Sequence, residues 1–241
     1  MRRIRTLPVA VKLYPDLVDP EVGRGFSLVG GLPMLDVYER PLAGWNVIVK
    51  TASDWLLALV IFMAMLPVMA VIALAVKLDS PGPVLFRQRR YGFNSNEFTT
   101  LKFRSMRADA GDESGGPQAR RADPRVTAVG RFLRRTSLDE LPQLLNVLAG
   151  DMALIGPRPH AVAHNRYYAD IIDGYLGRHR VRPGITGWAQ VNGLRGETDT
   201  LEKMRMRVQY DLYYIDNWSL LLDLKILLLT PFVTLVGRNA Y

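Results

Sequence analysis

The chain has 241 residues, of which 49% are hydrophobic and 22% are charged, so it can bury a core and is not an intrinsically disordered protein. Lysine and arginine number 31 against 23 aspartates and glutamates, which gives a net charge of +8. This surplus indicates an anionic partner, either a nucleic acid, a phosphorylated small molecule or an acidic membrane surface. The absence of cysteine excludes disulfide scaffolds, cysteine-ligated zinc and thiol catalysis.

The first 45 residues alternate short apolar runs with turn residues such as Gly30 and Gly31. They predict strands and one short helix, with too little material for a closed sheet. We interpret residues 1–45 as the remnant of a preceding domain or as a docking extension.

One apolar segment dominates the chain. Residues 55–76 are 22 consecutive residues without a charged or strongly polar side chain, more than the roughly 20 that cross a hydrocarbon core of about 30 Å. Pro67 in its middle predicts a kink, and cations on both flanks favour a helix that enters and leaves by one membrane face. A spanning helix stays open, and a buried globular helix is the weaker alternative because the run is apolar all round. We expect a membrane-inserted helix over 46–78.

The patterns after this helix predict a mixed, helix-rich α/β domain over residues 79–241. In chain order they predict strands over 84–93 and 98–106, helical structure over 126–148, a helix over 160–180, a strand–turn–strand over 181–193, a helix over 199–217 and an apolar helix over 220–236. The last of these contains Asp223, Lys225 and Pro231, which is typical of an amphipathic helix in the membrane interface rather than a span.

The segment from Arg134 to Leu144 carries the most chemistry. Its local pattern favours helix capping, because Ser137 and Glu140 have the spacing of a capping box and acids stabilise a helix N-terminus. A second interpretation starts from Arg134 and Arg135, which precede the helix start and could form a phosphate site. A carboxylate of Asp139 or Glu140 beside bound phosphate would bind a divalent cation or attack phosphorus. Both interpretations can hold together.

Three further residues are candidates for the same site. Arg158 lies between Pro157 and Pro159, whose rings restrict the backbone and present the guanidinium rigidly to an anion. Lys102 alternates with apolar residues in a strand pattern and belongs either to a solvated face or to an anion pocket. Asp211 lies at the edge of an apolar helical stripe, where a structural arginine is its expected partner and a functional cation the alternative.

Other chemistry is weakly indicated. His160 and His164 would share a helix face at the i, i+4 spacing, but no third ligand for zinc is evident. Arg87, Arg89 and Arg90 follow the apolar run closely, and we interpret them as contacts to anionic lipid headgroups. No signature of a nucleic-acid-binding module is present, so we expect no nucleic-acid partner.

Five segments, in order, resemble the bacterial sugar transferases, the monotopic polyprenyl-phosphate phosphoglycosyl transferases. They are SPGPVLFRQRRYG, FTTLKFRSMR, RRTSLDELPQLLNVLAGDMALIGPRP, RPGITGWAQVNG and DLYYIDNWSLLLDLKIL. The similarity runs from about Ala43 to Tyr241. The carboxyl half is most similar to undecaprenyl-phosphate glucose phosphotransferases, and residues 1–45 resemble the end of the nucleotide-binding-like domain of larger members.

The resemblance implies a reaction and a site. Such enzymes move a sugar-1-phosphate from a nucleotide sugar to a polyprenyl phosphate and release UMP. Asp139 matches the family nucleophile, which forms a covalent aspartyl-phosphosugar intermediate, and Glu140 matches its partner on Mg²⁺. Arg134 and Arg158 match arginines that hold phosphate, with Lys102 and Asp211 as further site positions. The family helix re-enters the leaflet, although many members have serine where this chain has Leu66.

We therefore predict a membrane-inserted transferase that moves glucose-1-phosphate, or another sugar-1-phosphate, from a UDP-sugar to undecaprenyl phosphate with Mg²⁺ as cofactor. The expected location is the cytoplasmic face of the bacterial inner membrane, in contact with its lipids, and a homodimer is plausible. The reaction would be the first membrane step of exopolysaccharide or capsule synthesis. A non-catalytic adaptor that binds anionic lipid or partner subunits is the alternative from another class. A one-step polytopic transferase is disfavoured, because such enzymes need many spans.

Overall fold

A computed structural model describes residues 11–13, 26–29, 32–38, 42–107, 123–196 and 200–236. The described part of the N-terminal segment forms an antiparallel sheet of three strands, β1 (Val11–Leu13), β2 (Phe26–Val29) and β3 (Leu32–Tyr38), in the order β1-β3-β2. The strands predicted for this segment are therefore present. No helix occurs in its described residues up to Tyr38.

The apolar segment forms one long helix, α1 (Trp45–Asp79), which continues through Pro67. Within the described residues it is the one helix long and apolar enough to cross a membrane. Most of its apolar side chains are exposed, including Val60 at 59% and Val71 at 70%. An exposed apolar surface of this kind marks an interface with a membrane or another protein. The buried side of α1 instead packs against the domain that follows it.

That domain contains two small sheets surrounded by helices. The strands β4 (Leu85–Tyr91) and β5 (Glu97–Phe103) form an antiparallel hairpin, and β6 (Ala153–Ile155) pairs with β7 (Gly184–Thr186) in parallel. The helices are α2 (Ala128–Thr136), α3 (Gln143–Ala149), α4 (Val162–Ile171), α5 (Trp188–Val191), α6 (Leu201–Asp216) and α7 (Leu220–Val236). The mixed, helix-rich α/β class predicted from the sequence is confirmed.

The helical periodicity over 126–148 belongs to two helices rather than to one. Helix α2 ends at Thr136, a 3₁₀ turn follows over Leu138–Glu140, and α3 begins at Gln143. The break falls at Ser137, whose φ of 57° is left-handed and cannot continue a right-handed helix. Pro142, with no N–H to donate, precedes α3.

Two further predicted elements are corrected by the structure. The helix expected over 160–180 is divided, because Gly174 adopts a φ of 77° and a 3₁₀ helix follows over Tyr175–Arg180. The strand–turn–strand expected over 181–193 contains β7, but its second half is the short helix α5.

Helix α6 confirms the helix predicted over 199–217. Its predicted stripe faces the core: Met204, Val208 and Ile215 are buried, and Leu201 and Leu212 pack beside them. The main core combines α1, α3, β6, α6 and α7, with Ala58, Leu144, Leu154, Ile215 and Ile226 among its buried members. Burial of these apolar surfaces is the main stabilising contribution.

A buried polar cluster fastens α1 to α7. The Lys50 ammonium lies 3.0 Å from the Asp54 carboxylate and 2.8 Å from that of Asp223. Asp223 also accepts hydrogen bonds from the Tyr214 hydroxyl at 2.7 Å and the Trp218 indole at 2.9 Å. The charges are thus paired and hydrogen-bonded, as burial requires.

Candidate active site

The break between α2 and α3 places two acids side by side in the interior. Asp139 and Glu140 are 7% and 9% exposed and lie in the 3₁₀ turn after Ser137. The capping box predicted for Ser137 and Glu140 is wrong: Ser137 is the left-handed residue that ends α2, and its side chain makes no capping hydrogen bond. The Glu140 carboxylate instead pairs with two cations.

Glu140 is held by two cations from distant parts of the chain. Arg158 Nη1 donates to Glu140 Oε2 at 2.9 Å, and Arg158 Nη2 donates to Oε1. Lys102 Nζ donates to the same Oε1 at 2.6 Å. Burial alone would raise the pKa of Glu140, but Arg158 and Lys102 together hold it well below its ordinary value. Glu140 is therefore ionised over the physiological pH range.

Asp139 has a different environment although it is the adjacent residue. No side chain in the described parts of the chain donates a hydrogen bond to its carboxylate. Burial raises the pKa of Asp139 to about 6, while Lys102 opposes this rise and the charge of Glu140 adds to it. Two neighbouring carboxyl groups with divergent pKa values, in a cluster of cations, are typical of a catalytic site. Asp139 therefore has carboxylate oxygens that no described side chain binds, and carboxylates are among the side chains that act as nucleophiles in covalent catalysis.

Arg134 reaches the site from the last turn of α2. Gly130 allows α2 to approach the segment that follows β5 closely, because a Cβ there would lie 2.1 Å from the Ser105 carbonyl oxygen. Arg134 Nε donates to Ser105 Oγ at 3.1 Å, and its charge lowers the pKa of Asp139. The neighbouring Arg135 is exposed. Of the two arginines that precede the acids, the structure thus directs Arg134 toward them.

Arg195 was missed by the sequence interpretation. It follows α5, between Gly193 and Gly196, whose φ values of 84° and 101° form a tight turn. Burial and the charge of Arg158 lower the pKa of Arg195, whereas the two acids raise it. No local signal marks this arginine in the sequence, because glycines widen the conformational freedom of the backbone around it and most arginines in such turns are solvated.

The remaining candidates lie behind this centre. Asp211 is buried and accepts from Arg178 Nε at 2.8 Å, so it has the structural arginine partner expected from its position. His160 lies before the start of α4, so His160 and His164 do not share a helix face and the premise for a zinc pair is wrong. The described residues contain no group of three or more histidines, aspartates and glutamates that could hold a metal ion.

A cavity of about 200 Å³ opens next to the acids. Glu140, Ser137 and Arg195 line it at one side. Its other walls come from α1, α3, β6, β7, α5 and α7, through residues that are mostly apolar: Ile61, Leu141, Leu144, Leu154, Ile185, Val191, Leu227 and Val233. A charged site thus adjoins an apolar cavity between the two most apolar helices.

Two carboxylates without a third ligand fit one kind of metal site. Mg²⁺ prefers oxygen ligands, keeps several waters, and is usually bound by one or two carboxylates together with substrate phosphates. Asp139 has a carboxylate without a hydrogen-bonding partner among the described side chains, and Glu140 lies directly beside it. These residues fit Mg²⁺ in the presence of a phosphorylated substrate.

The chain is similar to known transferases along most of its length. The model of the bacterial sugar transferase family matches residues 45–237. A UDP-glucose:undecaprenyl-phosphate glucose-1-phosphate transferase of Escherichia coli K12 is 56% identical over 213 residues, which are 88% of this chain and 46% of that protein. A protein of the same name from Xanthomonas campestris is 47% identical over 244 residues, which cover 100% of this chain and 50% of that protein.

A further relative of that name, from Caulobacter vibrioides, is 52% identical over 194 residues, covering 80% of this chain and 72% of that protein. The chain spans about half the length of the first two relatives. The matched region contains α1, both acids and all the cations around them. The chain belongs to the bacterial sugar transferase family.

Proposed function

We propose that the protein transfers glucose-1-phosphate from UDP-glucose to undecaprenyl phosphate and releases UMP. The observation that carries this proposal is the buried Asp139 carboxylate, which lies without a hydrogen-bonding side chain among Lys102, Arg134 and Arg158. The names of the relatives supply the two substrates. The cations supply what a transferred phosphoryl group requires, since catalysis of its transfer depends on positioning and charge stabilisation.

The reaction would proceed in two displacements at one phosphorus atom. A carboxylate oxygen of Asp139 attacks the β-phosphorus of UDP-glucose, and the bond from this phosphorus to the bridging oxygen breaks, so that UMP leaves with the electron pair. Asp139 then carries glucose-1-phosphate as an acyl phosphate. A phosphate oxygen of undecaprenyl phosphate attacks the same phosphorus, which releases Asp139 and forms undecaprenyl-diphosphate-glucose. Two displacements with a covalent intermediate predict ping-pong kinetics.

The charged residues would have separate roles in these steps. Arg158 and Lys102, which neutralise Glu140 in the free protein, are placed to bind the incoming diphosphate. Arg134, whose charge acts on Asp139, would stabilise charge on the transferred phosphoryl group. Asp139 and Glu140 would hold Mg²⁺, which neutralises phosphate charge when bound.

The contacts of α1 support a re-entrant position in the membrane. In its first half, Trp55 Nε1 donates to the Leu148 carbonyl oxygen at 3.2 Å. In its second half, the Val76 carbonyl oxygen accepts from Arg104 Nη2 at 3.0 Å. Both halves thus contact the same domain, as expected for a helix that returns to the membrane face from which it entered. We propose that α1 dips into one leaflet and returns, while its exposed apolar side contacts lipid.

The apolar surface and the charge of the chain support a location at the cytoplasmic face of the bacterial inner membrane. Helix α7 exposes Leu221, Leu228 and Phe232, as an interfacial helix does. A net charge of +8 favours the cytoplasmic leaflet with its anionic lipids. The cavity beside Glu140 would receive the first isoprene units of the acceptor, because it joins the charged site to α1 and α7.

The test is UMP release by the full chain in nanodiscs, with undecaprenyl phosphate, Mg²⁺ and either UDP-glucose, UDP-galactose or UDP-N-acetylgalactosamine. We expect release from UDP-glucose that depends on both lipid and metal. Label from the β-phosphate of the donor should remain on Asp139 when the acceptor is omitted. Folded protein that releases no UMP and retains no label would contradict the proposal and favour a non-catalytic adaptor.

A further inference from the structure

The segment that carries Arg158 is held through its carbonyl groups. Pro157 and Pro159 have no N–H, so neither residue can donate a backbone hydrogen bond. Three successive carbonyl oxygens instead accept from fixed donors. Pro157 accepts from the Gly184 N–H at 3.0 Å, Arg158 from Arg178 Nη2 at 2.6 Å, and Pro159 from Arg90 Nη1.

The first donor depends on a close backbone approach. A Cβ at Gly184 would lie 2.1 Å from the backbone nitrogen of Gly156, so β7 can pair with the end of β6 only with glycine there. This contact fixes where the Pro157–Pro159 segment begins. The other two donors are side chains and fix its direction.

Arg178 is itself immobilised on all three guanidinium nitrogens. It is 3% exposed; its Nε donates to Asp211 Oδ2 at 2.8 Å, and its Nη1 lies 2.9 Å from His160 Nδ1. Burial and the charge of Arg178 hold the pKa of His160 well below its ordinary value. The neutral imidazole can therefore accept the hydrogen bond from Arg178.

Arg90 reaches the segment from β4. Its Nε and Nη2 both donate to Gln88 Oε1, at 3.2 and 2.7 Å, which leaves Nη1 directed at Pro159. The interpretation of Arg90 as a lipid-headgroup contact is therefore wrong. Burial lowers the pKa of Arg90 to about 10, and the charge of Arg158 contributes to this fall, as expected for two guanidinium groups close together.

We propose that Arg178 and Arg90 are positioning residues for Arg158, and that Asp211 fixes Arg178 in that role. The two guanidinium groups hold the successive carbonyl groups of Arg158 and Pro159, so the Arg158 side chain meets Glu140 in one geometry. The inference rests on the proposed function where it concerns turnover. In that reaction, the same geometry presents Arg158 to the donor diphosphate. A displacement of about 1 Å in such a group can lower a rate by about 10²-fold.

A neighbouring ion pair supplies a matched control. Arg180 and Asp216 join the same two elements as Arg178 and Asp211, with Arg180 Nη2 donating to Asp216 Oδ1 at 3.1 Å. Arg180 Nε donates to the Gly177 carbonyl oxygen, within its own 3₁₀ helix. Asp216→Asn thus disturbs the packing of these elements without altering the Arg178–Asp211 pair.

The experiment is a double-mutant cycle on kcat/KM for UDP-glucose. We expect Arg178→Gln to lower kcat/KM by about 10²-fold, and Asp216→Asn to change it by less than about threefold. In an Arg158→Ala background, Arg178→Gln should cost less than about threefold, because the side chain that it positions is absent. Effects that multiply in the double variant would overturn the proposal, since Arg178 would then act independently of Arg158.

Two further measurements test the positioning role if Arg178→Gln does not fold or if the protein shows no turnover. Asp211→Asn retains an oxygen acceptor and replaces Arg178→Gln if that variant does not fold. Binding of inorganic pyrophosphate, measured by calorimetry, needs no turnover and should weaken in Arg178→Gln as it does in Arg158→Ala. Wild-type protein that binds pyrophosphate but releases no UMP would contradict the proposed function alone. Pyrophosphate affinity unchanged in Arg178→Gln would contradict the positioning role.

Discussion

The guanidinium group of Arg158 faces the Glu140 carboxylate with both terminal nitrogens, Nη1 lying 2.9 Å from Oε2 and Nη2 contacting Oε1. Lys102 adds a third hydrogen bond to the same carboxylate. In the free protein, Glu140 therefore binds the two cations that a diphosphate would need. In the proposed reaction, the donor diphosphate would draw Arg158 and Lys102 away from Glu140, and Mg²⁺ would then replace them as the partner of the carboxylate.

Asp139→Asn should abolish turnover, with a loss of about 10³-fold or more, because the amide cannot form the acyl phosphate. Its melting temperature should equal or exceed that of the wild type at pH 7.5, since burial disfavours the Asp139 charge. UMP release and thermal unfolding measure the two effects. Asp170→Asn, an exposed acid on α4, is the control. Substantial turnover by Asp139→Asn would exclude this residue as the nucleophile.

Glu140→Gln should lower the free energy of unfolding by about 3 kcal/mol, because it leaves Arg158 and Lys102 without their shared buried carboxylate. An added anion should replace that carboxylate. We expect pyrophosphate to raise the melting temperature of Glu140→Gln more than that of the wild type. Glu202→Gln, at an exposed position of α6, should behave like the wild type. Equal shifts in all three proteins would show that the anion binds elsewhere.

The first displacement should depend on pH through Asp139. Its pKa, about 6, lies above its ordinary value, so the carboxylate is ionised above pH 6 and protonated below. Single-turnover UMP release should be about tenfold slower at pH 5 than at its plateau. Lys102→Met removes the charge that lowers the pKa of Asp139 most and should move this fall in rate to higher pH. If the rate falls over the same pH range in Lys102→Met as in the wild type, the pH dependence does not come from Asp139.

The same ionisation has a defined sign for stability. The folded-state pKa of Asp139 exceeds its ordinary value of 3.8, so the folded protein binds this proton more tightly than the unfolded chain. The contribution of Asp139 to stability is therefore fully present below about pH 4 and is lost as the pH rises through 6. In this range, stability should fall less with rising pH in Asp139→Asn than in the wild type, as measured by urea unfolding.

Lys50→Met should weaken the packing of α1 against α7. The ammonium of Lys50 lies between the Asp54 and Asp223 carboxylates, and its removal leaves both acids buried without their cation. We expect a loss of about 3 kcal/mol in the free energy of unfolding, measured in detergent. Lys203→Met, at an exposed position on α6, is the matched control. An equal loss in both variants would indicate that the Lys50 cluster has no special contribution.

Much of this molecule follows from local patterns in the sequence. The strand-like runs over 84–93 and 98–106, with a turn between them, predict the two strands of the β4–β5 hairpin, and the apolar stripe of α6 predicts its buried face. The apolar run from Trp55 to Val76 predicts α1. The residues Asp139, Glu140, Arg134, Arg158 and Lys102 were all named from the sequence, and the structure brings them together. Motifs and periodicity suffice where the determining residues are neighbours along the chain or on one face of an element.

Only the tertiary structure shows which of those residues contact one another. The sequence indicates helical structure over 126–148 with a helix start near Ser137, and only the left-handed backbone of Ser137 shows that the acids lie in a turn between two helices. Glu140 meets Lys102 across 38 positions of sequence, and Pro159 meets Arg90 across 69. Arg90, Arg178 and Arg195 have no local pattern that separates them from solvated arginines. A buried carboxylate, or a carbonyl without a backbone donor, pairs with the cation that lies near it in space. The packing of distant elements determines which cation that is.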